Sequence, residues 1–180
     1  MKKFENLVTA YQFAQKSKLS ESNFLECHRI FSPTLLIKSK RGNYRIDKVG
    51  VFGQTGLAYL ALEPEHVQKR MKSFFQKMVA LLKDKLSLEE TFYFASMMHL
   101  IFAHTHPFTD GNGRAARLLG KWFLTEKIGD PYWKIPSEKY YKDNQGMYYA
   151  NINLGVNYYE LNYDNCMPFL MMLPNCLRTK

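Results

Sequence analysis

The run HTHPFTDGNGRAARLLGKWF, residues 104–123, holds a histidine, an acid, two glycines around an asparagine, and two arginines within a dozen positions. Those residue types suit chemistry on a phosphate. After the loop, GRAARLLGKWFLTEK resumes helical periodicity, which places Gly111, Asn112 and Gly113 at the N-terminal edge of a helix. A helix start carries unpaired N–H groups and the positive end of the dipole, and glycines let an anion come close, so this triplet reads as a phosphate nest. Arg114 and Arg117 are three residues apart on the same helix, and two planar guanidinium forks suit more than one phosphate. Asp110 would be repelled by a phosphate unless a cation lay between them, which is how Mg²⁺ is usually held, by one carboxylate plus phosphates. His106, four residues before Asp110, is the natural general base near neutral pH.

Each residue also has a plainer reading. Asp110 and Gly111 can form an ordinary turn followed by Asn112 as a helix cap, and arginines on a polar helix face in a basic chain are commonly just solvated. The joint spacing, rather than any single residue, favours transfer from a nucleotide to a hydroxyl.

The elements that must position these groups are helical. Ser87 and Glu90 have capping-box spacing, so an almost wholly apolar central helix is expected from Leu88 to near Ala103, delivering the chain to a loop that begins at His104. Pro107 biases His106 away from helical geometry. Before that helix, Pro64 opens a long one with Val67, Met71, Phe74, Phe75, Met78, Leu81 and Leu82 on one face. The first third reads as two short helices, the second capped by Ser20 with Phe24, Leu25, Cys27 and Ile30 as its buried stripe, and nothing there demands chemistry. The segment IKSKRGNYRIDKVGVFGQTGLAYLALEP is rich in β-branched and aromatic residues and reads as a hairpin, roughly Val49 to Leu60. The expected fold is all-α with a small β-hairpin flap.

With 180 residues, 46% of them hydrophobic, the chain can bury one good-sized core, so a single domain over 1–180 is expected. Cys27, Cys166 and Cys176 are too few and too scattered for a disulfide framework and point to a reducing compartment. No apolar run is long enough for a signal peptide or a membrane span, so a soluble, cytoplasmic protein is expected, with no membrane partner. A net charge of +9 attracts polyanions without choosing among them. A metal-dependent hydrolase using His99, His104, His106 and Asp110 is disfavoured because no strand is expected where zinc spacing would need one. A nucleic-acid module, prompted by KSKRGNYR, lacks any accompanying recognition signature, and no nucleic acid is expected as a partner.

His106-Pro107-Phe108-Thr109-Asp110-Gly111-Asn112-Gly113-Arg114-Ala115-Ala116-Arg117 resembles the signature of Fic domains, H-x-F-x-D/E-G-N-G-R-x-x-R, with every fixed position filled. The resemblance extends to His99 upstream, to GNYR before the hairpin and to DNQGMYY after the motif, so it covers nearly the whole chain. It implies the mainly helical Fic fold, with a hairpin flap at about 44–61 and the active-site loop plus following helix at about 104–127. It also implies an enzyme that moves AMP from ATP onto a Ser, Thr or Tyr hydroxyl of a target protein. On that resemblance His106 deprotonates the hydroxyl, and Asp110 holds Mg²⁺. Asn112 with the Gly111 and Gly113 amides supports the phosphates, and Arg114 and Arg117 grip the leaving pyrophosphate. Phe108 is expected as a packing anchor, with Asn144, Tyr148 and Tyr149 bordering the adenine or forming a helix seam. The flap would capture the target by main-chain pairing along Val49 to Phe52 or Leu57 to Leu60. Relatives that transfer phosphate or another phosphate-containing group form the alternative, and the intact Gly-Asn-Gly centre favours AMP. The family's inhibitory motif, S/T-x-x-x-E-G/N, has no full match: Ser22 to Glu26 is followed by Cys27, and Glu5-Asn6 has Met1 where the hydroxyl residue should stand. Inhibition is therefore expected from a separate protein or from sequence outside this chain, and the setting is a cytoplasm, its own or that of a host receiving an effector.

Overall fold

The structure is a computed structural model that describes residues 2–53 and 56–178. Two N-terminal helices, α1 (Lys2–Gln15) and α2 (Glu21–Phe31), lead through an irregular segment to the hairpin strands β1 (Gly50–Gly53) and β2 (Gly56–Leu60). Then come α3 (Pro64–Lys83), α4 (Leu88–Thr105), α5 (Asn112–Ile128), α6 (Ser137–Asp143) and α7 (Gln145–Ile152), followed by short turns and helices to the C-terminus. The mainly helical architecture with one small antiparallel hairpin matches the expectation.

Local chemistry explains the boundaries. Ser20 Oγ accepts the Asn23 amide at the start of α2. The Ser87–Glu90 capping box is formed in both directions, satisfying two donors that the first turn of α4 leaves open. Pro64 sits at the first position of α3, where its missing N–H costs nothing.

Two expectations need correction. Helix α4 runs to Thr105, so His104 stands on the helix rather than in the loop; Pro107 disfavours α geometry only at the residue immediately before it. The buried face of α2 is Phe24, Cys27, His28 and Phe31, not Leu25 and Ile30, which are only partly covered.

Helices α4 and α5 form the central pair, and the main core gathers around them from α1, α2 and α3. A second cluster, with Leu100, Tyr141, Tyr148, Phe169 and Met172, seals α7 and the C-terminal turns against α4. The hairpin projects from this body. Val51 pairs with Tyr59, a register irregularity follows between Val51 and Phe52, and the Leu60 end of β2 meets Asn157 in a parallel bridge. The expected free edge at Leu57 to Leu60 is therefore partly occupied, and the outer edge of β1 is the one left without a strand partner among the described residues.

Candidate active site

The end of α4, the loop 106–111 and the start of α5 line one wall of a cleft of about 1110 Å³. The flap, through Val51, Phe52 and Tyr59, lines another, and Tyr148 and Tyr149 of α7 a third.

His106 takes a left-handed conformation, φ 49° and ψ 56°, and is the single non-glycine residue with positive φ among the described residues. A residue before proline is steered out of the helical region, and here the turn swings the imidazole into the cleft. Its Nδ1 lies 3.3 Å from the Ala103 carbonyl. A carbonyl can only accept, so Nδ1 carries the hydrogen and Nε2 keeps the lone pair. Burial pushes the imidazole down to about 4, so the ring is neutral at physiological pH and able to take a proton.

The loop behind it is held by packing. Phe108 is fully buried and stacks on the His28 ring at 3.7 Å and 11°, with Tyr44 at 5.7 Å and Phe102 at 5.9 Å. The Asn112 side chain closes the loop on itself: Oδ1 accepts the Phe108 amide at 2.9 Å, and Nδ2 donates to the Phe108 carbonyl at 2.8 Å. With its side chain spent on Phe108, Asn112 has its backbone amide left to support a phosphate. The Gly111 amide is engaged by the Asp110 carboxylate. Gly111 itself is demanded by geometry, because its φ is 88° and a Cβ there would approach Phe31 Cε2 to 2.9 Å.

The first helix bond of α5 runs from the Ala115 amide to the Gly111 carbonyl at 3.0 Å, so the amides of Asn112, Gly113 and Arg114 have no carbonyl partner within the helix. Arg114 reaches over the Phe31 ring, 5.6 Å from its centroid, with Nη2 3.7 Å from Asp110 Oδ1. Its Nη1 is buried with no hydrogen-bond partner among the described residues. A buried guanidinium donor left open beside an N-terminal nest is a place for an anion. Arg117 also lines the cleft, packed on Gly113 and beside Tyr148, whose phenol is pushed up to about 12 by burial while the Arg117 charge opposes the shift.

Asp110 lines the cleft with its carboxylate about half exposed. Among the described residues there is no group of three or more His, Cys, Asp or Glu side chains that could hold a metal ion. A lone carboxylate beside anion-binding groups is what a hard cation takes when phosphate oxygens complete its shell. Two histidines of the disfavoured hydrolase reading, His99 and His104, have partners of their own. His99 Nε2 meets the Tyr148 hydroxyl at 3.0 Å in full burial, while His104 donates from Nε2 to the Ile152 carbonyl at 2.7 Å and accepts the Tyr163 hydroxyl on Nδ1 at 3.0 Å.

Of the three residues expected near a base, Tyr148 and Tyr149 line the cleft, whereas Asn144 turns its Nδ2 to the Tyr140 carbonyl at 2.9 Å. Glu26, from the incomplete inhibitory match, pairs with Arg29 on the exposed side of α2.

Sequence reasoning passed over two residues that organise the site. His28 accepts the Gly42 amide on Nδ1 at 2.9 Å and donates from Nε2 to the Asp110 carbonyl at 3.0 Å, so the first third of the chain does serve the site. Its spacing with Phe24 and Phe31 on one face of α2 was the available signal. Arg45 was visible only as part of GNYR, yet it is buried and bonds the His106 carbonyl directly.

Residues 18–124 match the model of the Fic/DOC family. Among characterised proteins, the chain is 31% identical over 135 residues to a "Protein adenylyltransferase Fic" of Nematostella vectensis, covering 75% of this chain and 27% of that protein. It is 27% identical to the protein of the same name in Drosophila erecta, covering 90% of this chain and 28% of that one. The chain thus spans between a quarter and a third of the length of these relatives. Among solved structures, a Fic family protein of Desulfovibrio desulfuricans superposes with a TM-score of 0.75 at 23% identity, over 97% of this chain and 50% of that one. A VirB-translocated effector of Bartonella tribocorum, solved with bound AMPPNP, superposes with a TM-score of 0.63 at 16% identity, over 97% of this chain and 83% of that one. With the motif, the loop and the helical frame in place together, this chain belongs to the Fic/DOC family.

Proposed function

We propose that this protein transfers AMP from ATP onto a Ser, Thr or Tyr hydroxyl of a target protein. The observation that carries the reading is the open, buried Arg114 Nη1 at the helix start, sharing one cleft with a neutral His106. One group waits for an anion and the other for a proton.

The target hydroxyl is delivered along the flap, most simply by pairing with the open edge of β1. Its proton passes to Nε2 of His106 as the oxygen bonds to the α-phosphorus, and the bond from that phosphorus to the bridging oxygen of pyrophosphate breaks. Arg114, Arg117 and the amides of Asn112, Gly113 and Arg114 hold the phosphate oxygens and stabilise the charge on the leaving group. Asp110 would hold Mg²⁺, which when bound neutralises phosphate charge. The relatives named adenylyltransferases support this choice of transferred group, as does the intact Gly111-Asn112-Gly113. A bound nucleotide places negative charge beside His106 and raises its affinity for a proton, opposing the lowering that burial causes.

The test is incubation with Mg²⁺ and ATP labelled on the α-phosphate, with a host lysate, beside His106→Ala. The expected result is label on protein that falls by 10²-fold or more in the variant, the range of general-base loss. Label that appears only from γ-labelled ATP makes the protein a phosphate-transferring relative instead, and label undiminished in the variant removes His106 from the reaction.

A further inference from the structure

The last carbonyls of α4 have no partner within the helix, and they are the ones that set where His106 points. The carbonyl of Ala103 takes the His106 ring nitrogen, and that of His104 accepts the Tyr59 hydroxyl from the flap at 2.8 Å. The remaining two belong to one side chain. Arg45 donates from Nε to the His106 carbonyl at 2.7 Å and from Nη2 to the Thr105 carbonyl at 3.4 Å.

The same guanidinium also holds both feet of the flap. Nη1 donates to the Asp47 carbonyl at 2.8 Å, just before β1, and Nη2 to the Leu62 carbonyl, just after β2. The Arg45 backbone amide adds a bond to the Pro107 carbonyl at 2.9 Å. Arg45 is 3% exposed and has no carboxylate within ion-pair distance among the described residues. A buried guanidinium is expensive unless its donors are met, and here backbone carbonyls at the negative end of a helix dipole meet them.

We propose that Arg45 is the positioning residue of this site: it locks His106 in its left-handed conformation and fixes the flap in register with it. A left-handed non-glycine residue persists only where its surroundings over-determine it, and Arg45 supplies that constraint from outside the signature motif. The nucleotide is left to other groups, since Arg114, Arg117 and the first amides of α5 make no bond to Arg45. Its removal should therefore disturb chemistry and target delivery while sparing nucleotide binding.

The proposal rests on the transfer reaction above, and its test separates the two. Arg45→Lys keeps a cation but cannot bridge four carbonyls. Its kcat for target labelling should fall by about a hundredfold, the scale of a small misplacement of reacting groups, with the KM for Mg·ATP within about threefold of wild type. Amide exchange at His106 should accelerate by about tenfold, while amides in the middle of α5 keep their protection. A kcat within threefold of wild type, or a KM that worsens in step with kcat, overturns the proposal. If wild-type protein labels no target, the transfer reading fails alone, and unchanged His106 exchange in Arg45→Lys is then the result that overturns the positioning role. Should that variant not fold, the wild-type protein decides by NMR. A slowly exchanging Arg45 Nε–H with a close contact to His106 upholds the clamp, and an Nε–H exchanging like that of a free arginine overturns it.

Discussion

The loop 106–111 and the flap line one cleft together, yet they are built in opposite ways. In the loop, Phe108 is fully buried, Asn112 is 3% exposed and bonds Phe108 from both ends of its amide, and His28 grips the Asp110 carbonyl. On the flap, Phe52 is 75% exposed, Leu57 56% and Leu60 42%. The hairpin is tied down at its base by Arg45, Tyr59 and the bond from the Leu60 amide to the Val156 carbonyl. The contrast fits the two tasks that the proposed transfer would set. Groups that make and break bonds must hold their geometry before the substrate arrives, whereas a surface that reads a protein segment needs exposed apolar side chains and an unpaired edge.

Phe108→Ala is the hardest blow to this contrast. Removing a ring enclosed by His28, Phe24, Tyr44 and Phe102 should cost about 3–5 kcal/mol in a denaturant titration, by loss of buried contacts and by the cavity left behind. A cost below about 1 kcal/mol would mean that the loop is not anchored through this ring.

Acid should reach the buried side of the comparison next. Burial holds His28 and His106 at about 4 and His99 at about 3, all below the ordinary value for histidine. From about pH 6.5 down to those values the unfolded chain binds protons that the folded chain refuses. Stability is then fully present above about pH 6.5, falls by roughly 1.4 kcal/mol per pH unit for each such histidine as pH drops from there toward the folded values, and loses nothing more from them below those values. Urea midpoints at pH 7.5 and pH 5 check this, and equal midpoints would break it.

The smallest effect on stability belongs to the flap. Phe52→Ala should change unfolding free energy by no more than about 0.5 kcal/mol, as expected for a surface side chain. Target labelling should drop several-fold while the affinity for Mg·ATP stays constant. A marked loss of stability, or a loss of nucleotide binding, would show that the flap is part of the core construction rather than a docking surface.

Much of the frame was legible because it depends on neighbours in sequence. The Ser87–Glu90 capping box, Pro64 at a helix start, the departure of His106 from helical geometry before Pro107 and the amphipathic face of α3 each follow from residues within a few positions of one another, whereas the left-handed sense of His106 does not. The cleft residues of 106–117 were legible for the same reason, since a loop and the first turns of one helix carry them all. Hydrogen-bond direction was less accessible. Asn112 was expected to support a phosphate without saying through which of its groups, and only the folded loop shows its side chain spent on Phe108, four residues back. The end of α4 was set two residues early because the steric effect of a proline acts on one preceding residue and leaves the earlier helical bonds intact.

Sequence by itself determined the class of fold, the helix starts and the grouping of His106, Asp110, Arg114 and Arg117, because these rest on local sterics, periodicity and the orphan amides of a single helix. Only the tertiary structure decided that His28 and Arg45 govern the loop. Their partners, the carbonyls of Asp110, Thr105, His106 and Leu62, are backbone atoms that every residue possesses, so no residue type marks them, and folding alone brings them within hydrogen-bond reach.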